Sequence, residues 1–518
     1  MGMSAENVTG YVGNLEPWQE ERLRQFWATL IQLWDARGSS SSSRTTPEHL
    51  RRASLSSNDT NATTTAKSPR RGFFSLTRQS TIQTTDDDSP PPSPVPPMFL
   101  PTLKTLGATP SDLKAAYSLL TKISGDRLQM AYLRALKQEH PDAQLLRFLR
   151  AEKWNVPRAW IKFVSALHWR TNEYRIDEEV LCKGEKYHLE RSRREEDSVE
   201  KRDGENFMIQ LRSGKGFFHG ADRYGRPICV IRARAHTPSE KALRSLRDYI
   251  VHCIETVRYL QVAPVETMTI LFDLTSFSLS NWVGRSLAHL LMNDTNKYPG
   301  LSRSQVHHRM LPRQLSRVPR RHNFLQSAMV FQRFVPHHQS PPQKLHSNPT
   351  PGFWKLIQAI LDPVVAAKVY FIDGPKDLEQ MVPPSQIIRE LGGHENWEYH
   401  YQEPLPCEDD RLHDTAVRDA ILAERRALGE ELFAVTAEWI ADPESYGWVE
   451  RRELAIMKMH DNYWTLDPYV RARTILDRTG VIKDGGIVDF YPARTNVQVY
   501  DEKPAVVGDW VIGVPVMA

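Results

Sequence analysis

Residues 353–374 read FWKLIQAILDPVVAAKVYFIDG, and the fold turns on how this stretch is parsed. Trp354, Ile357, Ile360/Leu361 and Val364/Val365 recur at helical spacing, so one face of the segment is apolar. Asp362-Pro363 interrupts it, because Asp caps a helix and Pro fits the first position of a new turn. The chain then passes into the β-prone run Val369-Tyr370-Phe371-Ile372 and reaches Gly374. Lys368 stands between two apolar runs, where its charge must reach either water or an anion. Two readings are open for it: a lysine snorkelling to the surface at a helix–strand junction, or a phosphate contact at the mouth of an apolar cavity lidded by Phe353–Leu361.

Working outward, Pro383–Gly393 (PPSQIIRELGG) ends in a glycine turn. Upstream, Thr267–Leu274 (TMTILFDL) is a near-continuous apolar strand of the kind covered on both faces. Ser239–Val262 is a helix with Leu243, Leu246, Ile250, Ile254 and Val257 on one face, and Asn281–Met292 reads as another. Two further β-prone runs, Lys215–His219 and Pro227–Ile231, flank a turn by composition, Asp222–Pro227 (DRYGRP). This strand–helix alternation argues for an α/β layer with some parallel pairing. Before it, LLRFLRAEKW and the helix opened by Pro157, carrying Trp160, Phe163, Val164 and Leu167, form an all-helical stretch.

Together LDPVVAAKVYF, LLRFLRAEKW and DRYGRP resemble the CRAL-TRIO lipid-binding domain family, in particular the yeast-type phosphatidylinositol/phosphatidylcholine transfer proteins. The resemblance implies an α/β fold: a mixed sheet with helices and a gate helix over an apolar cavity, preceded by a small all-helical domain. It places Phe353, Trp354, Ile357, Ile360, Leu361, Val364 and Val365 in the gate and cavity, and Lys368 on the lysine that binds the headgroup phosphate. It implies no catalytic residue, no metal and no cofactor beyond bound phospholipid. Arg147 or Arg150 would approach the headgroup or be solvated helix arginines.

Residues 301–350 depart from the family. They hold seven arginines, one lysine, six histidines and no carboxylate, so the segment carries +8 while the rest of a chain of net charge +4 sums to −4. The family's Tyr-Pro-Glu becomes Tyr298-Pro299-Gly300, which removes the glutamate that partners the headgroup lysine. A threonine found in some members is Val365. No replacement for the family's central parallel strand is legible; Ala328–Phe331 is short and flanked by Gln and Arg. The segment reads as a basic membrane- or RNA-docking loop, as a zinc site of His307, His308, His337 and His338 lacking Cys or carboxylate, or as a translated non-coding stretch.

The chain of 518 residues, 40% apolar and 25% charged, divides into an amphipathic N-terminal helix (1–37) and a Ser/Thr/Pro-rich linker expected to be disordered (38–100). The helical domain (111–185), the lipid-binding domain (205–403, interrupted at 301–350) and a C-terminal helical extension and tail (411–518) follow. The linker carries Arg51-Arg52-Ala53-Ser54, a basophilic-kinase pattern. Cys182, Cys229, Cys253 and Cys407 form no paired motif, which suits a reduced intracellular protein. No apolar run approaches the ~20 residues needed to span a bilayer.

The expected function is therefore non-enzymatic phospholipid binding and transfer by a cytoplasmic, peripherally membrane-associated monomer that binds no nucleic acid. The alternatives are a lipid-sensing adaptor presenting lipid to a lipid kinase or GTPase regulator, and a serine hydrolase built on Ser286 in Gly284–Ala288.

Overall fold

The computed structural model describes residues 9–35, 99–196, 198–235, 243–273, 328–332, 369–372 and 374–493. Its N-terminal part is a bundle of helices α1 (Pro17–Asp35), α2 (Phe99–Thr105), α3 (Pro110–Leu120), α4 (Gly125–Leu136), α5 (Pro141–Ala151) and α6 (Val156–His168). Local chemistry sets the starts. Thr109 and Asp112 form a reciprocal capping box ahead of α3, Ser124 caps α4, and Asn155 caps α6 just before Pro157. Each cap satisfies an N–H that has no partner inside the helix.

The predicted apolar stripe of α1 is buried: Leu23, Phe26, Trp27 and Leu30 join Leu145, Leu146, Leu149, Trp160 and Phe163 in one core. The same core takes Leu432 and Phe433 from α11 (Thr415–Ala441), and Ala455 and Met459 from α12 (Val449–Leu466). The sequence sets residues 1–37 and 411–518 apart from the helical domain; α1, α11 and α12 instead complete its core. An apolar stripe this wide needs a partner, and each of these helices supplies one for the others.

Polar groups lock the bundle. Arg425 of α11 is fully buried and donates to the carbonyls of Leu133 (3.1 Å), Lys137 (2.7 Å) and Met459 (2.9 Å). It thereby satisfies carbonyls at the end of α4 that have no helical donor. The 38–100 linker lies outside the described residues apart from the first residues of α2.

Two π-helical turns (Trp169–Glu173 and Asp177–Cys182) lead to the hairpin α7 (Gly184–Ser192) and α8 (Val199–Arg212) and then to the sheet. Its strands are β1 (Gly216–Ala221), β2 (Pro227–Arg232), β3 (Thr269–Asp273), β4 (Ala328–Gln332) and β5 (Val369–Ile372), in that spatial order. β1 and β2 are antiparallel, β2 and β3 parallel, and β4 is antiparallel to both neighbours. The parallel step needs a crossover, which α9 (Leu243–Leu260) provides.

The DRYGRP turn is held by its own side chains. Asp222 Oδ1 accepts from the N–H groups of Tyr224 (2.9 Å) and Arg226 (3.0 Å), while Oδ2 takes Arg226 Nε (2.6 Å) and Thr269 Oγ1 (2.7 Å). Gly225 supplies the positive φ of 73° that the turn demands.

β4 corrects the sequence analysis, which finds no strand between Leu301 and Thr350. Ala328–Gln332 lies between β3 and β5, with Val330 opposite Leu271 on one side and Tyr370 on the other. Five residues suffice because each central-strand residue satisfies backbone groups on its neighbours. The direction differs too: the family pattern calls for a parallel strand.

One sheet face carries Phe217, Ile228, Val230, Leu271 and Ile372. It packs on Leu378 of the short helix α10 (Pro375–Leu378) and on Val382, Ile387 and Ile388 of the turns that follow. These turns are the predicted PPSQIIRELGG element. Gly393 is required there, since a Cβ would sit 2.0 Å from Ile387 O.

Candidate functional site: the open sheet face and a neighbouring cavity

The expected gate and cavity residues Phe353, Trp354, Ile357, Ile360, Leu361, Val364 and Val365, and the expected headgroup residue Lys368, lie outside the described residues. So do Ser286, Gly300 and the four histidines of the zinc reading.

Successive strand residues point to opposite faces, so the face opposite the α10 side carries Cys229, Ile231, Ile270 and Phe272. Ile231, Ile270 and Phe272 are only half-buried among the described residues. In register, Phe331 stands opposite Ile270, and Met329 opposite Phe272. On α9, Ile250 packs with Leu211, Leu246 and Tyr249 against the α7–α8 hairpin. The β-branched and aromatic side chains Ile231, Ile270 and Phe272 thus leave this face of the sheet incompletely covered by the described residues.

α9 is held rigidly behind this surface. Glu255 on its opposite side is fully buried between Lys137 Nζ (2.7 Å), Arg170 Nη1 (2.7 Å) and Arg258 Nη1 (3.4 Å). Burial disfavours its charge, yet the three cations outweigh that and hold its carboxyl well below the usual range. Lys137 caps the end of α4 and Arg170 lies in the first π-helical turn after α6, so this cluster ties the bundle and the turn leaving it to α9.

The two arginines singled out in LLRFLRAEKW are structural. Arg147 pairs with Glu139. Arg150 donates to Gly10 O (2.6 Å) and Glu266 (2.7 Å) and lies over the Tyr11 ring.

A cavity of about 360 Å³ opens beside the edge of β1. Its walls include Leu211, Phe218, Tyr249, Cys253, Trp397 and Tyr399, with Ile475, Leu476 and Val481 contributed by the C-terminal extension. Glu185 forms its polar wall, fully buried and ion-paired with Arg478. It accepts from Tyr401 OH (2.8 Å) and Ile475 N–H (3.2 Å), with His252 Nε2 at 3.4 Å. Burial raises the Glu185 pKa, but His252 and Arg478 bring it below the usual carboxylate value. Burial pushes the Cys253 thiol up to about 12. A locked carboxylate and a protonated thiol are not poised for acid–base or nucleophilic work.

Sequence reasoning missed this cavity and the α7–α8 hairpin behind it. The signal for α8 was present: Ser198 as cap, then Phe207, Met208 and Leu211 at helical spacing. The Glu185–Arg478 pair spans 293 positions and leaves no local pattern. Among the described residues, no group of three or more His, Cys, Asp or Glu could hold a metal ion, and no helix is long and apolar enough to cross a membrane.

Comparison with known proteins agrees with this architecture. The CRAL/TRIO, N-terminal domain family model matches residues 23–165, and the CRAL/TRIO domain model matches 211–300 and 348–393. The interval between those two blocks falls on the basic segment. The chain is 32% identical over 357 residues to a CRAL-TRIO domain-containing protein of Schizosaccharomyces pombe, covering 68% of this chain and 69% of that protein. It is 30% identical over 376 residues to the phosphatidylinositol transfer protein CSR1 of Eremothecium gossypii, covering 72% and 75%. Helical bundle, mixed sheet and both domain matches lead to one conclusion: the chain belongs to the CRAL-TRIO domain family.

Proposed function

We propose that this chain binds a phospholipid on the open sheet face and carries it between membranes without chemical change. The observation that carries the reading is the similarity to the CSR1 phosphatidylinositol transfer protein across three quarters of that protein's length. The half-covered apolar strand residues Ile231, Ile270 and Phe272 support it.

The energetics are those of exchange between two apolar media. Two acyl chains hold on the order of 30 methylenes, worth roughly 24 kcal/mol against water. The bilayer offers nearly the same environment, so extraction is close to neutral. The protein needs a dry cavity, a lid that admits the chains, and a few polar contacts for selection. In this reading Phe353–Leu361 is the lid and Lys368 meets the headgroup phosphate. A charge-assisted hydrogen bond contributes about 1.5–3 kcal/mol, enough to choose among headgroups. With Gly300 where the family has glutamate, inositol loses its second contact, and the reading rests on the phosphate.

Transfer of labelled phospholipid between vesicle populations tests the proposal. Wild-type protein should accelerate it, and Lys368→Ala should weaken anionic phospholipids by about ten- to a hundredfold while affecting phosphatidylcholine much less. Binding without transfer would favour a lipid-sensing adaptor, and equal loss for both lipids would make Lys368 structural.

A further inference from the structure

The 360 Å³ cavity beside β1 has room for a small ligand, and its hydroxyl groups are all turned the same way. Five hydroxyl side chains border it, and each already gives its proton to an oxygen that can only accept. Tyr249 donates to Gly216 O (2.7 Å) and Tyr399 to Leu211 O (2.8 Å). Thr256 donates to His252 O (2.7 Å), Thr479 to Ile475 O (2.7 Å) and Thr474 to the Asp477 carboxylate (2.8 Å). A hydroxyl bound in this way keeps its lone pairs, so towards a ligand these groups are acceptors.

Charge points in the same direction. The lining contains Glu185 and Glu398 and, among the described residues, no lysine or arginine. Each of its three histidines faces a carboxylate: His219 and Glu395 (2.9 Å), His252 and Glu185 (3.4 Å), His400 and Glu398 (3.7 Å). A carboxylate or phosphate entering here would lose its water without meeting a lysine or arginine. A cation is better served. The Phe217 ring lies 5.4 Å from that of Trp397 and 5.1 Å from that of Tyr399, and the negative faces of such rings attract an ammonium group. Glu185 is already held by Arg478, whereas Glu398 stands exposed at the rim.

We propose that this cavity binds a small apolar amine in its protonated form. The ammonium group donates to hydroxyl oxygens of the wall, the aromatic rings stabilise its charge, and its apolar body lies among Leu211, Ile475, Leu476 and Val481. The site rests on the cavity lining alone and is independent of the lipid reading. It also gives the C-terminal extension a part in binding, since Thr474 to Val481 form one side of it.

Calorimetric titration of the full chain with 1-naphthylmethylamine and with 1-naphthoate, which share one ring system and differ in charge, tests the assignment. The amine should bind once per chain and at least tenfold more tightly than the carboxylate. Thr256→Val/Thr479→Val removes two acceptors while keeping the side-chain shape, and should weaken the amine about tenfold. Glu398→Gln, at an exposed position that leaves folding untouched, should weaken it about threefold. Naphthoate binding as tightly as the amine, or no amine binding by wild type, would overturn the proposal. Undiminished amine affinity in the folded threonine variant would do so too, by placing the amine elsewhere; if that variant does not fold, undiminished affinity in Glu398→Gln decides against the site.

Discussion

Arg452 of α12 clasps Asp142 at the start of α5 through two hydrogen bonds, Nη2–Oδ1 at 2.6 Å and Nη1–Oδ2 at 2.8 Å, across 310 positions of sequence. Trp27 Nε1 donates to the same carboxylate (2.7 Å), so α1, α5 and the C-terminal extension meet at one buried charge. Removing the cation leaves that carboxylate buried without its counter-ion. Arg452→Met should destabilise the protein by about 3–5 kcal/mol, read as a drop in the denaturant midpoint. An unchanged midpoint would show that the extension is not part of the bundle core.

The same pair predicts a pH dependence. Burial alone would raise the Asp142 pKa, but the Arg452 charge and hydrogen bonds outweigh it and lower the carboxyl to about 2. The folded value lies below the unfolded one, so the stabilisation is complete above about pH 4 and is lost as pH falls towards 2. It amounts to about 2–3 kcal/mol. Wild-type stability should fall across that window more steeply than that of Arg452→Met/Asp142→Asn; parallel curves would remove the pair from the account.

β4 makes a prediction about the basic segment. A proline inside a central strand removes a ladder hydrogen bond and clashes with its neighbours. Val330→Pro should therefore destabilise the sheet by about 3 kcal/mol or more, seen as a lower thermal midpoint. An unaltered midpoint would mean that Ala328–Gln332 does not complete the sheet, and would return the segment to an appended loop or a translated non-coding stretch.

How far these features could be read from sequence depended on distance along the chain. The stripe of α1, the strand TMTILFDL and the DRYGRP turn were legible because period, β-propensity and turn chemistry act within a few residues. The run Val369–Ile372 was recognisable as β5 for the same reason. β4 was not, because five residues between arginines and glutamines give too short a pattern. The Glu185–Arg478 and Arg452–Asp142 pairs were invisible, as ion pairs between remote positions leave no spacing to detect. Arg147 and Arg150 looked like solvated or headgroup-binding arginines, and only the placement of Glu139, Glu266 and Gly10 shows their structural role.

The lid carries its own prediction. If Phe353–Leu361 closes an apolar cavity, Ile357→Asp places a charge where acyl chains must pass, at a cost no bilayer exchange offsets. The variant should retain its far-ultraviolet circular dichroism and lose phospholipid loading. Wild-type loading in that variant would end the lid argument.

Native mass spectrometry of the purified full chain, followed by extraction and identification of bound lipid, tests the central claim most directly. The account predicts one phospholipid per protein, exchangeable when vesicles are added. A chain that is folded yet carries no phospholipid, and takes none up from phosphatidylcholine/phosphatidylinositol vesicles, would contradict it.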